Sequence, residues 1–241
     1  MSSLTSISSL LSEELSRLSF STPVSFVYDP TDYAREPLSR YLERYGQSPK
    51  RVVLVGMNPG PWGMLQTGVP FGEVNIVRDW MGIESLVKQP VRIHPKRPVE
   101  GFACARSEVS GRRLWGWARD RFGSADGFFS EFFVLNYCPL AFFDEAGKNI
   151  TPDKLRADDK TRLFRLCDEA TKRMVELLSP EWVIGIGKFA CDRSIAALKG
   201  MDVKIGRITH PSPANPAANR GWVALVEKEL SDLGIELPNL D

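Results

Sequence analysis

The chain has 241 residues, 43% of them hydrophobic and 25% charged, with 31 basic against 30 acidic side chains. That length can bury a core without disulfides or structural metals, and a formal net charge of +1 excludes a histone-like or supercharged protein. A local basic patch remains open, because a partner meets faces of a protein and not its total charge.

In chain order, the N-terminal segment MSSLTSISSLLSEEL has no basic n-region and turns acidic at once, so it does not read as a signal peptide. Ile7, Leu10, Leu11, Leu15 and Leu18 follow helical spacing, which predicts an amphipathic helix over about 4–18. RVVLVG at 51–56 reads as a strand. Residues 57–110 read as mostly loop with short helical insertions, because prolines and glycines crowd 58–74 and HPKRP fills 94–98. A loop of that length inside a domain usually has a function. A helix at 110–122 precedes a strand, FFVLNY, at 132–137. A helix at 159–178 precedes WVIGIG at 182–187. A helix at 188–199 precedes VKIGRITH at 203–210, and a last helix is expected over 216–230. The first three strands are continuous apolar runs, as in strands buried on both faces. Alternating strands and helices predict an α/β fold with a parallel sheet covered on both sides. The whole chain, 1–241, reads as one domain.

No apolar run approaches the roughly 20 residues of a membrane-spanning helix, so no membrane association is expected. The four cysteines, Cys104, Cys138, Cys167 and Cys191, form no CxxC pair. They therefore do not suit a zinc ribbon or an iron–sulfur cluster. Reduced, mostly buried thiols in an intracellular protein are the expectation: cytoplasm or nucleoid in a bacterium, nucleus in a eukaryote. With only His94 and His210, a multi-histidine metal centre is impossible, and neither metal nor cofactor is expected. His94 reads as a surface or loop residue.

Ligands of open parallel sheets bind beyond the carboxyl ends of the strands. There the sequence places Asn58, Asn136, the glycines Gly185 and Gly187, and His210. No acidic residue ends a strand, which tells against paired-carboxylate hydrolysis and a carboxylate-held metal. Each polar residue has a plainer reading: Asn58 before Pro59 as a turn starter, Asn136 as a structural amide, His210 as a cap. Asn136 is the hardest to dismiss, since asparagine is depleted in strands and costly to bury unpaired. GIGK at 185–188 lacks the spacing and the hydroxyl residue of a phosphate-cradling loop.

GMNPGPWGMLQTGVPFGEV at 56–74 and HPSPANPAANRGW at 210–222 resemble the two signature segments of the uracil-DNA glycosylase superfamily, and most of all its single-strand-selective monofunctional branch. The likeness spans about residues 25–230. It implies a three-layer α/β/α fold around a central four-stranded parallel sheet. It also implies hydrolysis of the N-glycosidic bond of uracil and related damaged bases in single- and double-stranded DNA. The base is flipped out, and the abasic site left behind belongs to base excision repair. DNA is the implied partner, and a monomer is expected. By the same resemblance Asn58 positions water, His210 donates to uracil O2, Phe71 stacks on the base and Asn136 reads its edge. Met57, Gly60 and Met64 shape the pocket, with Gly63 beside them.

Pro211, Ser212, Pro213, Ala214, Asn215 and Arg220 correspond to the wedge that enters the duplex. Ala214 stands where vertebrate relatives carry arginine, and Trp62 where phenylalanine is expected. A same-fold enzyme acting on xanthine or hypoxanthine, and a catalytically weak damage- or single-strand-binding module, are the alternatives. The near-neutral total hides an uneven distribution. Residues 88–121 hold nine basic and three acidic side chains, 181–222 hold six and three, and 223–241 hold one and five. The two basic stretches are expected near the DNA.

Overall fold

The computed structural model describes residues 3–47 and 49–238. Helix α1 (Leu4–Ser16) starts from a reciprocal cap between Ser3 and Ser6 and buries Ile7, Leu11 and Leu15. Then come strand β1 (Phe26–Tyr28), the single turn α2 (Pro30–Tyr33), helix α3 (Arg35–Tyr45) and strand β2 (Val52–Gly56). The long loop carries α4 (Met64–Thr67), a π-turn at Ile76–Trp80 and a 3-10 turn at Gly101–Ala103, as its composition predicts. Helices α5 (Val109–Phe122) and α6 (Ala125–Glu131) lead into β3 (Phe132–Asn136), followed by short strands β4 (Ala141–Phe143) and β5 (Asn149–Ile150). The chain then runs through α7 (Ala157–Leu178), β6 (Trp182–Ile186), α8 (Lys188–Ala197), β7 (Lys204–Ile208), α9 (Pro216–Asn219) and α10 (Trp222–Asp232).

The four predicted strands form one parallel sheet in the order β3-β2-β6-β7, with helices on both sides. Central β2 is buried along its whole length, which is why its run is uninterrupted in apolar residues. Edge strand β7 instead exposes Lys204 and Arg207, charges that discourage pairing with another sheet. α1 packs on α7 and α7 on α8, while α5 touches α6 and α10. Cys104, Cys138 and Cys167 are buried free thiols and Cys191 is half-buried.

Three features differ from the sequence expectation. The helix over 216–230 is two helices. Gly221 lies between them at φ 136°, a conformation open to glycine and costly for other residues. A second sheet, β1-β4-β5, is antiparallel and too short in each strand for alternation to reveal it. His94 is a loop residue but not a surface one, being 5% exposed. Its Nδ1 accepts from the Lys96 N–H at 3.0 Å, so the proton sits on Nε2, which donates to the Glu145 carbonyl at 3.1 Å. Tyr28 of β1 accepts from the His94 N–H and donates to the Arg97 carbonyl. These bonds clamp the Pro-rich loop onto the small sheet, giving His94 a structural task.

Candidate active site

The parallel register brings the predicted residues together. Gly56 of β2 pairs with Asn136 of β3, and Ile186 of β6 with Ile208 of β7, so the segments after β2, β3 and β7 emerge along one rim. Asn58, Gly60, Phe71, Asn136 and His210 line a cleft there of about 320 Å³, together with Glu108 and Ser110. Met64 lies just beneath, its sulfur 3.2 Å from Asn136 Nδ2. Met57 does not line the cleft; its carbonyl ties the loop to the Cys138 N–H at 2.9 Å.

Close approach is built into the backbone. A Cβ on Gly56 would sit 2.4 Å from Asn136 Oδ1 and 2.5 Å from the Phe71 ring, so only glycine lets those side chains meet over the strand end. Phe71 itself has φ 55°, an unusual conformation for a bulky residue that the surrounding structure must hold in place. Its carbonyl accepts from the Glu73 N–H at 2.8 Å, and Trp115 Nε1 donates to the Pro70 carbonyl at 3.2 Å. The N-terminal turn of α5 presses directly on this loop: a Cβ on Gly111 would lie 1.9 Å from the Phe71 oxygen. Gly111→Ala should therefore destabilise the protein by about 1–3 kcal/mol through overpacking. The obstacle is backbone, so the usual helix gain of at most ~1 kcal/mol from Gly to Ala does not rescue it. Urea unfolding checks this, and a variant as stable as the parent would contradict the packing described.

Asn58 has a fixed orientation. Its Nδ2 donates to the Leu140 carbonyl at 3.2 Å, which leaves Oδ1 as the acceptor available to the cleft. Asn136 is held from behind, because the neighbouring Tyr137 hydroxyl donates to Asp168 at 2.7 Å and receives Arg193 Nε at 3.1 Å. Asn136 Oδ1 is buried without a hydrogen-bond partner among the described residues. A buried acceptor left unpaired is costly, and the bound ligand is the natural group to pair it.

His210 is neutral near physiological pH, since burial pushes its pKa down to about 4. Nδ1 accepts from the Ser212 N–H at 3.0 Å, so the ring carries its proton on Nε2 and is a neutral donor. In the unfolded chain the ring protonates near its ordinary 6.5. Between those two values the unfolded state binds the extra proton, so stability falls as the pH drops through that window. The loss is on the order of 3 kcal/mol. Urea unfolding at about pH 7 and about pH 4.5 should reveal it, and His210→Gln should remove that part of the slope. Identical slopes in both proteins would contradict a buried neutral ring.

The loop after His210 is braced by groups the sequence reading assigned to the DNA face. Arg113 donates to the Pro211 carbonyl at 2.9 Å and to Asn219 Oδ1 at 2.8 Å, and Trp222 Nε1 donates to the Thr209 carbonyl at 2.7 Å. Asn215 caps α9, and Ser212 Oγ accepts from the Ala214 N–H. Pro213, Ala214 and Arg220 are exposed, whereas Pro211 is buried. The tip is thus Pro213-Ala214, and Pro211 supports it from below. Arg121 is tied to Glu227 and Arg97 to the Gly147 carbonyl, so part of the basic stretch 88–121 is structural. Lys88, Arg92, Lys96, Arg106 and Arg112 remain exposed. Lys188, a conceivable amine nucleophile for a strand-cleaving lyase, is exposed, pairs with Asp192 at 2.6 Å and does not line the cleft.

Sequence reasoning missed Glu108 and Ser110. It searched the strand ends, but both residues come from the start of α5. The usable signal was the carboxylate in SEVSG, where the long loop meets a helix.

The family model described as the Uracil DNA glycosylase superfamily matches residues 43–231. A single-strand selective monofunctional uracil-DNA glycosylase of Rattus norvegicus is 48% identical over 227 residues, covering 93% of this chain and 82% of the rat protein. The protein of the same description from Bos taurus is 47% identical over 227 residues, covering 93% of this chain and 84% of its own. The crystal structure of wild-type SMUG2 from Pedobacter heparinus superposes with a TM-score of 0.66 over 97% of this chain and 98% of that one, at 17% identity. That last likeness is one of fold.

Proposed function

The chain belongs to the uracil DNA glycosylase superfamily, and from that membership we propose that it is a monofunctional uracil-DNA glycosylase. It hydrolyses the N-glycosidic bond of uracil flipped out of DNA and leaves an abasic site. The observation that carries this reading is the donor–acceptor pattern of the cleft: an orphaned Asn136 acceptor beside its own amide donor, and a neutral His210 N–H donor. Uracil offers the complement. Its N3–H pairs with Asn136 Oδ1, its O4 accepts from Asn136 Nδ2, and its O2 accepts from His210.

The roles follow from that placement. Phe71 offers an aromatic face to the base. Asn58 Oδ1 accepts a hydrogen bond from the attacking water and fixes its direction toward C1′. As the C1′–N1 bond breaks, its electron pair leaves on the uracil and charge gathers at O2, where His210 stabilises it. A neutral ring suffices, because it donates a hydrogen bond without transferring a proton. The Pro213-Ala214 tip fills the space left by the flipped nucleotide, and its stiffness limits the entropy lost there. The exposed basic residues of 88–112 follow the phosphate backbone.

Both rat and bovine relatives are described as single-strand selective. We extend the activity of this chain to duplex DNA on the strength of the exposed wedge. Base release from matched single-stranded and duplex oligonucleotides carrying uracil, 5-hydroxymethyluracil, xanthine or hypoxanthine tests both points. Release of uracil from both forms supports the reading. Faster release of xanthine or hypoxanthine than of uracil would replace it with a purine-directed enzyme.

A further inference from the structure

Hydrolysis needs more of the site than Asn58 and His210 supply. Water has two protons, and one must leave as its oxygen bonds to C1′. The Asn58 amide oxygen can accept a hydrogen bond but cannot hold that proton, and His210 already carries one on Nε2 and is committed at Nδ1. Among the described residues, Glu108 is the only carboxylate lining the cleft. It comes from the residue that starts α5 and lies against the loop that bears Asn58: a Cβ on Gly60 would sit 2.5 Å from Glu108 Oε2, and one on Gly63 would sit 2.9 Å from its Cγ. Those two glycines leave the space that the carboxylate occupies. Glu108 makes no ion pair among the described residues; backbone N–H groups of Trp62 and Ser110 face it instead. A desolvated carboxylate without a cation is expensive to keep, and such groups concentrate where chemistry uses them.

We propose that Glu108 is a catalytic residue, the base that shares the attacking water with Asn58. This rests on the glycosylase reading above and deepens it. In the step, one water proton stays hydrogen-bonded to Asn58 Oδ1 and the other passes to the Glu108 carboxylate. The water oxygen bonds to C1′, and the C1′–N1 pair departs with the uracil. The base leaves as an anion stabilised at O2, and the proton on Glu108 returns through solvent, so the sum is DNA-bound uracil plus water giving free uracil and an abasic sugar. Burial raises the Glu108 carboxyl above its usual range, which makes the carboxylate a better proton acceptor. The negative charge also favours the cationic character that grows on the sugar.

Glu108→Gln keeps the shape and removes the charge. Single-turnover release of uracil from a single-stranded oligonucleotide should fall by about 10²–10⁴-fold. Affinity for an oligonucleotide carrying a non-hydrolysable uracil analogue should change less than about threefold, and the melting temperature should hold or rise, since a partly buried charge without a cation is gone. Glu108→Ala provides a second arm: formate should restore part of its rate by entering the vacated space, and should leave Asn58→Ala unaffected. A rate within about threefold of the parent for the glutamine variant would overturn the proposal. So would a loss confined to 5-hydroxymethyluracil, which would make Glu108 a reader of the C5 side, or a formate arm with no gain. If the unmodified protein releases no uracil, the glycosylase reading itself fails; if it does and Glu108→Gln matches it, only the role of Glu108 fails.

Discussion

His210→Ala is expected to lower the single-turnover rate of uracil release by about 10²–10³-fold, with affinity for uracil-containing DNA little changed. The ring is already neutral, with the donor proton placed on Nε2 by the Ser212 N–H at Nδ1. Its hydrogen bond strengthens only as O2 gains charge, and an interaction made mainly in the transition state appears in the rate and not in binding. Gly187 leaves room for the ring: a Cβ on Gly187 would stand 3.3 Å from the His210 Cβ. A loss of affinity matching the loss of rate would mean that His210 only binds the base. It would favour the binding-module alternative.

Asn136→Ala should damage a different quantity, the discrimination between uracil and cytosine. The two bases differ at N3 and at the C4 substituent, where cytosine reverses each donor and acceptor. A buried amide held in one orientation rejects such a reversal by a factor on the order of 10⁴. With the amide gone that penalty vanishes, so the uracil-to-cytosine ratio of release rates should collapse while uracil release itself falls. Phe71→Ala is the control: it should slow release of either base with the ratio kept, because stacking surface does not read polarity. An unchanged ratio in Asn136→Ala would remove Asn136 from base reading.

The parts of the fold that the sequence announces are those where burial is continuous. VVLV, FFVL and VIGI are buried on both sides of the sheet, and such runs need no alternation to be recognised. The antiparallel sheet of β1, β4 and β5 has two or three residues per strand, too few to carry a period. The break at Gly221 hides inside an otherwise helical pattern, since periodicity does not register one residue at φ 136°.

For the site, Asn58, Asn136 and His210 follow from topology alone, because each stands at the carboxyl end of a parallel strand. Glu108 does not. It reaches the cleft only because Gly60, Gly63 and Gly111 let the loop and the helix start come into contact, a tertiary fact with no local signature. The charge pattern is similarly incomplete. Arg113 and Arg121 look like DNA contacts in a list of basic residues, yet they spend their donors on the Pro211 loop and on Glu227.

The central claim is hydrolysis of one bond, with no strand cleavage. Its most direct measurement incubates the purified protein with a single-stranded oligonucleotide bearing one uracil, beside the same strand bearing cytosine, and assays free base and strand length before and after alkali. The expected result is uracil released from the first strand only, with that strand intact until alkali cuts it at the abasic site. No free uracil, or cutting before alkali, would contradict a monofunctional glycosylase built on Asn58, Asn136 and His210.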